Sequence, residues 1–108
     1  MKLYHGTTDK HIQDILREGL QPPFEDTQVS LTDDYELAVS YATDAANLAG
    51  GKPTVLTVLV SRAREGYLAE FDVPSVPPKD IVKVERVRPV ASTEHTEIVK
   101  RLIEKRGE

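Results

Sequence analysis

Cysteine and tryptophan are absent from this sequence, and methionine occurs once. Without cysteine there can be no disulfide framework, no thiolate metal site and no thiol nucleophile. No apolar run approaches the ~20 residues needed to cross a bilayer. Met1 leads straight into charged and polar residues, with no apolar core of a secretory leader behind it. A cytoplasmic protein with no membrane partner is therefore expected. A basic excess is also lacking. The 14 Lys and Arg face 18 Asp and Glu, a net charge of −4, which argues against a dedicated binder of nucleic acid or membrane surfaces but leaves room for a local basic patch. There is no GxGxxG run or phosphate loop. No His, Asp or Glu pair stands at the spacing of a helix-borne metal site, so no metal is expected.

The chain has 108 residues, 39% of them hydrophobic. That is enough for one modest core, so residues 1–108 are expected to form a single domain. Lys2-Leu3-Tyr4-His5 reads as a short strand ending at Gly6, after which Thr7, Thr8 and Asp9 offer helix-capping oxygens. Ile12, Ile15, Leu16 and Leu20 follow at helical spacing, with Gly19 placed to close the helix. Residues 21–28 contain Pro22 and Pro23 and read as a loop, and Val29-Ser30-Leu31 as a second strand. Thr32 is read as opening a second helix, with Asp33 and Asp34 in its first turn. Its buried stripe is expected to be Leu37, Ala38, Tyr41, Ala42, Ala45 and Leu48, and Gly50-Gly51 ends it. The β-branched run Thr54 to Val60 is the strongest strand and is expected at the sheet's centre. Residues 62–66 read as a turn. Tyr67 to Val73 and Ile81 to Val87 are read as strands, and a final helix capped by Ser92 or Thr93 carries Ile98, Val99, Leu102 and Ile103. The order β α β α β β β α lacks regular crossover helices in its second half. An α+β fold with a mainly antiparallel sheet and short helices follows.

Two clusters could carry chemistry. His5 ends the first strand and is followed by Gly6, which allows a close backbone approach, and by Thr7. Ser30 and Thr32 sit at a strand-to-helix junction, with Tyr41 on the helix that follows. Each cluster alone also fits an ordinary capped helix or an exposed strand end. His11 and His95 lie among charged neighbours and are expected to be solvated. Arg62 and Arg64 could meet a phosphate, but Glu65 follows directly and a solvated turn is the simpler reading.

Taken together, His5-Gly6-Thr7, a helix ending in Glu18-Gly19-Leu20, and a strand, junction and helix with Ala38-x-x-Tyr41-Ala42 resemble the ADP-ribosyltransferase superfamily. The similarity is to its histidine-bearing branch, which includes poly(ADP-ribose) polymerases, rifampin ADP-ribosyltransferases and tRNA 2′-phosphotransferases. It spans Leu3 to Val87. In the polymerases the second motif reads Tyr-Phe-Ala before a helix ending in Tyr, which sets Ser30 at the first Tyr and Tyr41 at the last. The phosphotransferases carry His-Leu-Ser there, closer to Ser30-Leu31-Thr32.

The resemblance implies a split antiparallel sheet with NAD, as co-substrate, bound between its halves. It implies that His5 bonds the adenosine ribose, that Thr7 assists at a ribose hydroxyl and that Gly6 offers backbone bonds to the nicotinamide carboxamide. Ser30 and Thr32 join this NAD-binding set, and Tyr41 stacks on the nicotinamide ring. The family's acidic residue opens a late strand and stabilises the positive charge that develops as the glycosidic bond breaks. Glu70 is the match, with Asp72 as the alternative on the same strand face. His5, Tyr41 and Glu70 are thus the implied catalytic set. The chain departs from the family at Ser30, where an aromatic or histidine is usual, and at Ala38, where the polymerases have Ser. The implied activity is transfer of ADP-ribose to an acceptor that the sequence leaves open among protein, nucleic acid and small molecule. A non-catalytic nucleotide- or partner-binding module and an NAD-dependent RNA 2′-phosphotransferase stand as alternatives.

Overall fold

A computed structural model describes residues 1–106. Its elements are β1 (Lys2–Thr8), α1 (Ile12–Glu18), β2 (Val29–Thr32), α2 (Tyr35–Ala49), β3 (Pro53–Leu59), β4 (Arg64–Glu65), β5 (Glu70–Val73), β6 (Ile81–Arg86) and α3 (Ser92–Arg106). The six strands form an antiparallel sheet in the order β4-β5-β2-β1-β3-β6. The α+β class and the antiparallel sheet are as expected.

Several boundaries differ from the sequence reading. β1 does not stop at His5 but runs on to Thr8, because all seven of its residues pair with β3. Thr32 ends β2 instead of opening α2. Its Oγ1 accepts from Asp34 N at 3.0 Å, and Asp34 is the true cap, its carboxylate accepting from Leu37 N at 2.9 Å. The strand expected from Tyr67 begins only at Glu70, and the expected turn at 62–66 contains the two-residue strand β4. The sheet is one continuous order of strands and not two separate sheets. Its middle join is thin, with Tyr4↔Thr32 the one Cα pair in register between β1 and β2.

Strand alternation sends side chains to two cores. Leu3, Val29, Leu31, Leu56, Val58, Phe71 and Val73 face one way, under Ile12 and Ile15 of α1. Tyr4 and Val55 face the other way, under Ala38 and Ala42 of α2. β3 is buried on both faces, as its β-branched run requires of a central strand. A third, smaller cluster joins Leu37 of α2 to Ile98 and Leu102 of α3.

The packing of α2 on β1 depends on Gly6. A Cβ built there would lie 2.2 Å from Ala38 O and 2.5 Å from Ala42 N. The glycine that suggested room for a ligand is therefore filled on one side by helix backbone. This seating turns the buried face of α2 away from the expected stripe. Leu37, Ala38, Ser40, Ala42, Thr43 and Ala46 are buried, whereas Tyr41 is 49% exposed and Leu48 91% exposed. Leu16, expected on the stripe of α1, is also exposed.

Gly6→Ala is expected to cost about 1–3 kcal/mol, the usual range for overpacking against backbone that cannot move aside. Leu48→Gln should change stability by no more than about 0.5 kcal/mol. Urea midpoints at constant slope measure both.

Candidate functional site

β1 and β2 part company immediately beyond Tyr4↔Thr32. Continued antiparallel pairing would set Gly6 opposite Ser30, where a further rung of the ladder would form. A side chain crosses there instead: His5 Nδ1 donates to Ser30 O at 3.0 Å. A carbonyl only accepts, so the proton of the neutral ring is on Nδ1, and Nε2 keeps its lone pair as an acceptor. Burial pushes the His5 pKa below its ordinary value, with the Ser30 carbonyl opposing more weakly.

The strands diverge around a cleft of about 320 Å³ lined by Tyr4, His5, Gly6, Ser30, Leu31, Thr32, Leu37, Tyr41 and Glu70. That volume lies at the lower end of the range of ligand sites. Five of the six residues read as NAD-binding (His5, Gly6, Ser30, Thr32 and Tyr41) line it, as does Glu70. Thr7 does not. It is 5% exposed and paired with Thr54 on the far flank of β1, because β1 continues past Gly6, where the sequence reading ended the strand.

Glu70 opens β5 opposite Thr32, and Asp72 lies opposite Ser30. Both carboxylates reach one hydroxyl, with Ser30 Oγ 2.8 Å from Glu70 Oε1 and 3.2 Å from Asp72 Oδ1. Ser30 has a single proton to give, and the shorter contact assigns it mainly to Glu70. Asp72 shares the strand face but lines a neighbouring groove with Arg62 and Arg64, so of the two candidate acids only Glu70 lines the cleft. Tyr41 overlooks the cleft from α2. Burial first, then the charges of Glu70 and Asp44, push its phenol pKa up, keeping the hydroxyl protonated and able to donate.

The backbone that delivers Glu70 is strained. Leu68 (φ 52°) and Ala69 (φ 61°) are left-handed, a conformation that costs an L-residue about 1–2 kcal/mol each. The turn is closed by Gly66 N donating to Glu70 O at 2.7 Å. Nothing in the sequence marks this turn, since left-handed positions are usually signalled by Gly or Asn. His95 is another correction. Instead of being solvated it is half-buried, with Nδ1 against Ser40 Oγ, which ties α3 to α2. The reading of periodic apolar positions could not detect this pair, because both members are polar. Leu37, another wall of the cleft, was read only as core.

No protein-family model and no curated protein matches this chain. Among the described residues no group of three or more His, Asp or Glu is placed to hold a metal ion, and no helix is long and apolar enough to cross a membrane.

Two measurements test this geometry. Because His5 has a lower pKa when folded, the unfolded chain binds the extra proton more tightly, so its contribution to stability is intact above pH 6.5 and declines as pH falls below that value. The melting temperature should therefore drop between about pH 7.5 and 5.5, and His5→Gln, which can still donate to Ser30 O, should flatten part of that slope. Tyr41→Ala should cost less than about 1 kcal/mol, because the ring is half outside the core. A loss of the 3–5 kcal/mol or so typical of a buried aromatic would refute its placement at the rim.

Proposed function

We propose that this chain binds NAD in the cleft between β1 and β2 and cleaves its nicotinamide–ribose bond, passing ADP-ribose to an acceptor. The observation that carries the reading is the convergence of His5, Tyr41 and Glu70 on one cleft from three different elements. They bring three different chemistries: a neutral imidazole with a free acceptor, an accessible aromatic ring and a carboxylate. The set fits a nicotinamide nucleotide. Nε2 of His5 can accept from a ribose hydroxyl, the Tyr41 ring offers a face to a flat heterocycle, and Glu70 can accept from a sugar hydroxyl next to the reacting carbon.

In this mechanism the C1′–N bond of the nicotinamide ribose breaks, and its electron pair goes to the ring nitrogen, which becomes neutral. Positive charge builds on the ribose, and the fixed carboxylate of Glu70 stabilises it without reorganising. An acceptor lone pair then bonds to C1′, and the acceptor's proton leaves to solvent or a nearby base. Ser30, which stands where relatives of the resembled family carry a ring, works here on the protein side, donating to Glu70 and holding the carboxylate in one orientation. Stacking is left to Tyr41 alone. The RNA 2′-phosphotransferase alternative gains nothing from this geometry, since Ser30 replaces the histidine of that motif.

Glu70→Gln is expected to fold, to bind NAD within about threefold of the parent, and to release nicotinamide at least about a hundredfold more slowly at saturating NAD. His5→Ala should instead raise the NAD concentration required, because its ribose contact exists before the bond breaks. NAD or ADP-ribose should raise the melting temperature of the parent. Stabilisation by NAD with no nicotinamide release under any acceptor would leave a binding module. No stabilisation at millimolar NAD would remove the nucleotide reading altogether.

A further inference from the structure

α3 contributes no residue to the cleft, yet the acid at the cleft depends on it. Leu68 and Ala69, the two left-handed residues that lead directly into Glu70, pack against Leu37, Ile98 and Leu102. Two of those three residues belong to α3, and they are the only buried residues of that helix among those described. Leu37, the third, is at once a wall of the cleft and the seat of this contact. Polar ties fasten the same helix to α2. Arg101 reaches the Asp34 carboxylate at 3.1 Å and Glu36 at 3.5 Å, and His95 meets Ser40. Asp34 is itself the cap of α2. One end of α3 thus holds the start of α2, and its apolar face holds the turn before β5.

A left-handed Leu-Ala pair does not persist by local preference. Released from Leu37 and Leu102, residues 68 and 69 would relax toward negative φ, the bond from Gly66 N to Glu70 O would open, and the first residue of β5 would turn. Glu70 is that residue, and its carboxylate would leave Ser30 and the cleft.

We propose that α3 is a positioning element for Glu70, with Leu68 and Leu102 holding the strained turn that aims the carboxylate into the cleft. The proposal rests on the reading of Glu70 as the acid of the transfer reaction. It makes Leu68 and Leu102 positioning residues without contact to the ligand. It also makes docking of α3, which buries only Ile98 and Leu102 among its described residues, a condition for activity.

The test compares Leu68→Ala, Leu102→Ala and the double variant. Steady-state nicotinamide release is measured alongside hydrogen exchange at the Gly66 amide. Each single change should lower kcat at least about tenfold, with the KM for NAD moving less than about twofold, because misplacing a charge-stabilising group weakens the transition state more than binding. Gly66 exchange should quicken by at least about tenfold in both. The double variant should be no more than about twofold slower than the slower single, since both changes release the same turn. Val58→Ala, which thins the opposite core, should lower the melting temperature and leave kcat and Gly66 exchange unchanged. Should Leu68→Ala fail to fold, Ile98→Val removes one methylene from the same cluster without changing the left-handed residues, and is read identically. Unchanged kcat with normal Gly66 exchange in the Leu68 variant would overturn the proposal, as would faster exchange with unchanged kcat. A parent protein that releases no nicotinamide would sink the transferase reading alone. Gly66 exchange would then still decide whether α3 holds the turn.

Discussion

Everything at the cleft depends on how closely α2 lies on β1. At Gly6 the helix backbone comes within a distance that even a methyl group would block. Ala38 and Ala42, one helical turn apart, are small enough to let it settle there. With that row seated on the strand, the neighbouring row, Leu37 and Tyr41, is rotated toward β2 and onto the edge of the cleft. A larger residue at any of these three small positions would lift the helix and withdraw both. The position of the aromatic ring is thus a by-product of a packing contact on another face of the same helix.

A second set of contacts spans the parting of the strands. Ser30 takes part twice, its carbonyl accepting from His5 and its hydroxyl donating to Glu70. One residue on β2 therefore links the imidazole on β1 to the carboxylate on β5. Replacing the ring usual in the resembled family with Ser gives up a stacking surface and gains this bridge. The small side chain also keeps the 320 Å³ cleft open.

Much of this was legible in the sequence, for identifiable reasons. The β-branched run of β3 predicts its own burial on both faces, and Ala38 and Ala42 fall on the expected buried stripe of α2. Glu70 and Asp72 are two apart on a strand and necessarily share a face. What could not be read depends on long-range partners. Thr7 seemed a helix-capping residue because the strand was read as ending at Gly6, but a seven-residue ladder to β3 overrides that local hint. Tyr41 seemed buried because helical periodicity counts an aromatic as apolar, whatever surface the sheet offers beneath it. Leu68 and Ala69 carry no mark of left-handed backbone, and the cluster they pack against, Leu37, Ile98 and Leu102, comes from distant helices. His95 and Ser40 meet across 55 positions of sequence, beyond the reach of any local pattern.

The thin seam in the sheet also has a mechanical meaning. On one side β2, β5 and β4 hold a ladder of their own, and on the other β1, β3 and β6 hold a longer one. Across the middle, the one pair in register is Tyr4↔Thr32, with the His5 side chain beside it and one apolar core, including Leu3, Leu31 and Phe71, under both halves. His5 and Glu70 stand one on each half, so the span between them is set at this seam and by the core the halves share, not by either ladder alone.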